Sequence, residues 1–530
     1  MPSNTARRSP RRSVSTLPSA ILAAGLLAGG ASAQWSDDAS INTPIADASG
    51  DQVQPKIRAL ADGGCYVSWF DNATGGYDVR VSRLDPTGAA AWPASVLVAD
   101  RSFSSTQDYG ASIDLTGASL LAFRDDRGSG EQITAQRISP KGDLLWGDGV
   151  VLTATSEFVA SPRIAGVSDG GAVVAWSQGS TVRLAKLSAA GEVQWERTVT
   201  GPGGNGVTVA DLQASDAPGA TGEVVLSMVR FGGFTTPRHL YAQKFDVDGE
   251  PLWGADPLTI FDAGSLQFGN FPPFVADGEG GAVLAWYSSS PSLQSFVQRV
   301  FADGSLLFGA DGQAVAEVAG QIRTAPSATI DRSTGDIYCF WTEANSTQSQ
   351  FGVRGQRFAG TSRQWGSGGL VVAPLGSTEV SFVRTAPRAG GATALWIEGD
   401  FAADTIPAYA CDADGNAVWG GEVAVSDSGT PKGRLEVATI DSGTVLAVWQ
   451  SGQSGGGADI VGQNLRSDGT LGVEGIEGDL NDDGEVNGAD LGILLAAWGD
   501  CPKKGACPAD LNGDGDVNGA DLGILLANWG

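Results

Sequence analysis

The chain has 530 residues, 76 of them glycine, one histidine (His239), and 60 acids against 33 bases, for a net charge of −27. So acidic a surface repels phosphate backbones, which argues against nucleic acid as a partner. A single histidine argues against histidine-based triads and histidine-ligated metals. Glycine at about double its ordinary frequency implies many short elements joined by tight turns.

The N-terminus reads as a signal peptide over residues 1–33. Arg7, Arg8, Arg11 and Arg12 form a basic region, an apolar run from Ala20 to Leu27 follows, and Ala31-Ser32-Ala33 is a cleavage signal. The run is too short to cross a bilayer, so no transmembrane segment remains after processing. Arg11-Arg12-Ser13-Val14 matches a twin-arginine signal in part, and ordinary secretion is the expectation. Removal of four Arg and no acid makes the charge 29 − 60 = −31. An extracellular or cell-surface location follows, where disulfides persist. Cys501 and Cys507, six residues apart, are the candidate pair. Cys65, Cys339 and Cys411 lie in apolar runs and are expected as small buried hydrophobes.

Residues 34–475 repeat. Gly-Gly-Cys-Tyr-Val-Ser-Trp69 is matched by Gly-Gly-Ala-Val-Val-Ala-Trp176 and Gly-Gly-Ala-Val-Leu-Ala-Trp286, and weaker copies end at Phe123, Met228, Trp341, Trp396 and Trp449. That is eight units with a period of about 54 residues. A second landmark pairs Gln136-Arg137 with Trp146-Gly147, Gln243-Lys244 with Trp253-Gly254, and Gln356-Arg357 with Trp365-Gly366. Asp-Gly pairs at 248–249, 303–304, 414–415 and 468–469 signal hairpins. Each unit therefore reads as four short strands, the first following starts such as Pro55-Lys56-Ile57 and Pro162-Arg163-Ile164. The eighth unit lacks a fourth strand, and Ile41-Asn-Thr-Pro-Ile45-Ala is the segment free to supply it. The prediction is that residues 40–47 pair beside residues 459–465.

The region resembles secreted bacterial β-propellers built from Gly-Gly-Ala-x-x-x-Trp and Gln-Arg-x-x-x-x-Gly-x-x-x-Trp-Gly units. The resemblance implies a mainly β fold with eight blades, seven being the alternative. The strand-end tryptophans are expected to pack between blades rather than stack on sugars. The basic residue of each Gln-Arg pair is expected to serve structure, pairing with a carboxylate on the next blade, rather than to bind an anion in a channel. His239 is expected as a surface or strand residue rather than a catalyst. No nucleophile elbow, His-Glu-x-x-His or phosphate loop is present. A glycosidase would need only two carboxylates, and 60 acids give no means of choosing them.

From residue 476 the composition changes. Two twelve-residue loops stand 31 residues apart, the first starting at Asp479 and the second at Asp510. Calcium takes oxygen ligands from positions 1, 3, 5, 7, 9 and 12 of such a loop. These positions are Asp479, Asn481, Asp483, Glu485, Asn487 and Asp490 in the first, and Asp510, Asn512, Asp514, Asp516, Asn518 and Asp521 in the second. Glu485 and Asp516 would ligate through their backbone carbonyls, and Gly484 and Gly515 make the sharp turn. An all-oxygen set selects calcium over zinc, one ion per loop. Each loop runs into Leu-Gly-Ile-Leu-Leu-Ala-x-Trp-Gly, which places Leu491, Leu494, Leu495 and Trp498 on one helical face, repeated by Leu522, Leu525, Leu526 and Trp529. In so small a domain that face is expected to be core.

A calcium loop followed by one helix, duplicated, resembles a type I dockerin. The resemblance implies folding on calcium and docking onto a cohesin-type or cell-surface protein. Loop positions 10 and 11, where many dockerins place recognition hydroxyls, are Gly488-Ala489 and Gly519-Ala520 here. The combined expectation is a secreted binding or assembly protein. The propeller would serve as a ligand or carbohydrate platform and the tail as its attachment. The alternative is a polysaccharide-degrading O-glycosyl hydrolase tethered through its dockerin.

Overall fold

The structure is a computed structural model and describes residues 34–103, 108–128, 130–473, 478–481, 486–502 and 507–530. The signal-peptide residues, and the ligand candidates Asp483 and Glu485, lie outside these.

Residues 43–465 form eight antiparallel sheets, the blades of a propeller. Blade 1 joins Gln52–Ala59, Cys65–Asp71, Asp78–Leu84 and Val96–Ala99 in chain order. The first strands of successive blades touch one another in a closed cycle, so they line the axis. Blade 8 is built from Lys432–Thr439, Val445–Ser451 and Asp459–Leu465, and its fourth strand is Thr43–Ala46 from the N-terminus. Thr43 pairs with Gly462, Pro44 with Val461 and Ala46 with Ile460. The ring closes as the unpaired edge of the eighth repeat requires.

The Gln-Arg and Trp-Gly landmarks are one device. The Gln136 amide donates to Gly147 O (2.8 Å) while its carbonyl accepts from Trp146 N (3.1 Å) and Arg137 N (2.9 Å), which fixes the bend after the third strand. The tryptophan then reaches the next blade. Trp92 donates its indole N–H to Pro140 O (3.0 Å), Trp146 to Ala189 O (3.1 Å) and Trp365 to Ala413 O (3.0 Å). The basic residue converges on the same carbonyl: Arg83 on Pro140 O (3.2 Å), Arg137 on Ala189 O (3.1 Å), Arg357 on Ala413 O (3.0 Å). Its carboxylate partner lies on its own blade, Asp114 for Arg137 (2.6 Å) and Asp336 for Arg357 (2.6 Å). The expected next-blade carboxylate is thus replaced by a next-blade carbonyl. That carbonyl belongs to the third hairpin, whose glycine leaves room for the indole.

Trp35 completes the set. Its ring lies where a Cβ on Gly88 of blade 1 would stand, and its backbone N–H donates to Thr87 O (2.8 Å). The N-terminal segment therefore supplies both the missing strand and the missing tryptophan of blade 8.

The strand-end residues Trp69, Trp176, Trp286, Trp341, Trp396 and Trp449 are fully buried, in keeping with packing and out of reach of any sugar. Cys65, Cys339 and Cys411 are buried free thiols, and burial pushes the Cys65 and Cys411 thiols up to about 12. Cys501 and Cys507 form a disulfide. Among the described residues no helix is long and apolar enough to cross a membrane.

Candidate functional site

The C-terminal module carries two helices of identical sequence, α1 (Gly488–Ala496) and α2 (Gly519–Ala527). Loop position 9 is the N-cap of each: Asn487 Oδ1 accepts from Ala489 N and Asn518 Oδ1 from Ala520 N, both at 2.8 Å. With those oxygens turned to the helix, position 9 would reach a bound ion through water, as this loop position often does. Position 12 folds the loop over its helix. Asp490 accepts from Leu480 N (2.8 Å), Asn481 N (3.2 Å) and Asn487 N (2.8 Å). Asp521 repeats this with Leu511 N (2.8 Å), Asn512 N (3.2 Å) and Asn518 N (2.8 Å). Both carboxylates are buried, and these bonds hold them below the usual carboxylate range against desolvation.

In the second loop the candidate ligand side chains accept from the loop's own N–H groups. Asp510 accepts from Gly515 N (2.9 Å), Asn512 from Asp514 N (2.9 Å) and Asp514 from Asp516 N (3.0 Å). Desolvation, then repulsion from Asp500, Asp514 and Asp510, raises the Asp516 carboxyl although it is exposed. Carboxylates that repel one another in this way would suit a hard divalent ion, which would neutralise them. Asp479 and Asn481 hold the corresponding places at the start of the first loop.

The module core is Val486, Leu494, Ala509, Val517 and Leu525, with Leu491 and Leu522 partly buried against it. The predicted apolar face is therefore divided. Leu495, Trp498, Leu526 and Trp529 are about half exposed, in equivalent places on the two halves. The helices contact each other through one edge of that face only, so the other edge is left to solvent.

A second constellation lies on the propeller axis and was not anticipated. Gln54, Ser161, Ala325, Phe382 and Arg434 hold left-handed backbone at one fixed point of their first strands, each beside a break in strand register. Such bulges re-aim side chains. Two residues on, the register faces the residue preceding each strand-end tryptophan, and there stand Lys56, Arg163, Arg384 and Glu436. Asp108 bridges Lys56 (3.0 Å) and Arg163 (2.5 Å), Arg163 reaches Asp211 (3.8 Å), and Arg384 pairs with Glu436 (3.0 Å). Burial opposes the charge of Asp108, but Lys56 and Arg163 outweigh it and hold the carboxyl well below the usual range. The one sequence signal for this belt was the charged residue after proline in Pro55-Lys56 and Pro162-Arg163.

Loops at the end of the ring where first strands begin carry every exposed phenylalanine among the described residues: Phe158, Phe231, Phe234, Phe268, Phe271 and Phe401. His239 immediately precedes the strand Leu240–Phe245 near them, its Nδ1 3.4 Å from the Tyr241 hydroxyl, and burial lowers its pKa.

No curated protein matches the chain. Among solved structures it is similar to the Dos1 propeller, at 12% identity and a TM-score of 0.46, covering 80% of this chain and 95% of that one. It is also similar to a polysaccharide lyase, PL25 ulvanlyase, at 12% identity and a TM-score of 0.43, covering 83% and 96%. A third is the GH93 alpha-L-arabinofuranosidase of Fusarium graminearum, at 10% identity and a TM-score of 0.35, covering 59% and 95%. Likenesses this distant carry no statement about activity. The match that bears on this chain is confined to its end: residues 477–528 match the Dockerin type I domain family.

Proposed function

We propose that the chain is an exported binding and assembly protein, with a propeller that presents its loop face to a glycan and a tail that attaches it to a cohesin-type or cell-surface partner. The observation that carries this reading is the duplicated loop and helix of residues 478–530, which match a dockerin and repeat one hydrogen-bond pattern around Asp490 and Asp521. Two calcium ions, one per loop, would supply the positive charge that the crowded carboxylates lack. Leu495, Trp498, Leu526 and Trp529 are the docking face in this reading, since Gly488-Ala489 and Gly519-Ala520 offer no hydroxyls.

A hydrolase would need one carboxyl kept protonated beside another that is charged. On the axis Asp108 is held charged by Lys56 and Arg163, while Asp211 and Glu436 are ion-pair partners of Arg163 and Arg384. This supports binding over turnover.

Calorimetry of the full chain tests the calcium part. Chelator is expected to abolish the smaller transition, that of residues 478–530, and to leave the propeller transition in place. A trace indifferent to chelator overturns it. A glycan array with a hydrolysis assay on the same protein tests the propeller part, with binding and no release of reducing ends expected.

A further inference from the structure

Two exposed aromatic rings on the loop face are held against each other, and the outer one, Phe234, is almost wholly open to solvent. Phe234 is 88% exposed and Phe268 63% exposed, yet the rings stack on each other with centroids 5.4 Å apart and planes 26° from parallel. Each occupies the second position of a hydrogen-bonded turn: Thr236 N donates to Gly233 O and Asn270 N to Gln267 O, both at 3.0 Å. One turn belongs to blade 4 and the other leads into blade 5. They are tied together, because Leu266 N donates to Arg238 O (2.9 Å) and Arg238 N to Ser265 Oγ (3.0 Å). The platform is thus set by backbone bonds rather than by the rings' own burial.

The third member is a cation. The Arg238 guanidinium lies 4.5 Å from the centroid of the Phe268 ring. Its side chain donates at 3.4 Å to Thr236 O, and no carboxylate pairs with it among the described residues. Its guanidinium thus stands uncompensated beside an open aromatic surface, where it can meet an outside anion.

We propose that Phe234, Phe268 and Arg238 form a saccharide subsite for a sugar unit that bears a carboxylate or sulfate group. A pyranose offers an apolar face of C–H groups to the open Phe234 ring and the exposed edge of Phe268, and an equatorial anion to the guanidinium, which is a bidentate donor for such groups. Phe231 and Phe271, about half exposed on the same two loops, extend the apolar surface for a neighbouring sugar. The subsite rests on the glycan-binding reading of the propeller.

Isothermal titration of the full chain with three tetrasaccharide probes tests it: one built of uronates, one sulfated, one neutral. The two acidic arms decide which anion is preferred. Wild type is expected to bind at least one acidic probe about tenfold more tightly than the neutral one, the effect of one well-placed charged hydrogen bond. Phe234→Ala and Phe268→Ala should each weaken it about tenfold with an unchanged circular dichroism spectrum and Tm, because both side chains are exposed. Arg238→Met should erase the preference for acidic probes and keep neutral binding. If wild type binds glycans and these variants bind them equally, the platform is overturned while the glycan reading stands. Equal binding of acidic and neutral probes by wild type overturns the assigned sugar class. If wild type binds none of the three, the glycan reading falls and the subsite with it.

Discussion

Asp490 and Asp521 each collect three backbone N–H groups on one buried carboxylate. Replacing Asp521 with Ala would strand these donors and remove a ligand. The expected loss is about 3 kcal/mol of module stability in the presence of calcium, read as a lowered Tm of the smaller calorimetric transition. Asp108 gives a pH signature. Its folded carboxyl lies below the ordinary 3.8, so its stabilising contribution is complete above that value and is lost as pH falls through the lowered one. The propeller Tm should therefore fall below about pH 4, and fall less steeply in Asp108→Asn. At this scale the sequence was informative where chemistry is local. The duplicated loop and helix followed from local spacing, but Asp108 and Arg163 are brought together by the ring from two different repeats. Phe234 and Phe268 escaped notice because a phenylalanine in a glycine-rich loop has no period to betray it.

Among elements, the blade-to-blade latch makes each tryptophan a shared part of two sheets. Trp146 is buried and bonded to Ala189 O, so Trp146→Ala should cost about 3 kcal/mol, measured by denaturant unfolding of the propeller. The four-strand units and the closing strand were legible from spacing. The carbonyl acceptor of the latch was not, since a main-chain oxygen leaves no mark on residue identity. The dockerin helices show the converse limit. Leu491, Leu494, Leu495 and Trp498 share a helical face, but a two-helix module covers only part of it, and sequence periodicity does not say which part. The disulfide belongs to the second half alone. Cys501 N donates to Gly515 O (2.9 Å) and Asp510 N to Cys507 O (3.0 Å), so the two bridged cysteines hold the second loop at its first position and at its glycine turn. With Cys501→Ser and Cys507→Ser combined, calcium titration should show one of two sites weakened about tenfold, the reading of roughly 1.4 kcal/mol of lost preorganisation.

For the whole molecule, the decisive contact is between the two ends of the propeller. Deleting residues 34–46 would leave Asp459–Leu465 as an open edge and Gly88 without its indole. Such a chain should lose cooperative unfolding and self-associate, which sedimentation velocity would detect. Eight blades were legible as eight repeats because each repeat ends at the same strand.

That seam also imposes an order in time. A ribosome delivers Thr43 among the first residues of the ring and its partner Gly462 among the last. Throughout synthesis the first-made strand has nowhere to go, and neighbouring blades form from local contacts while it waits. Closure is therefore the late, non-local step of folding, and until it occurs the leading segment is open to proteases and to strands of other chains. A burst of protection at residues 43–46, arriving after all other blades are protected in pulsed hydrogen exchange, is the kinetic mark of a ring that locks with its oldest piece.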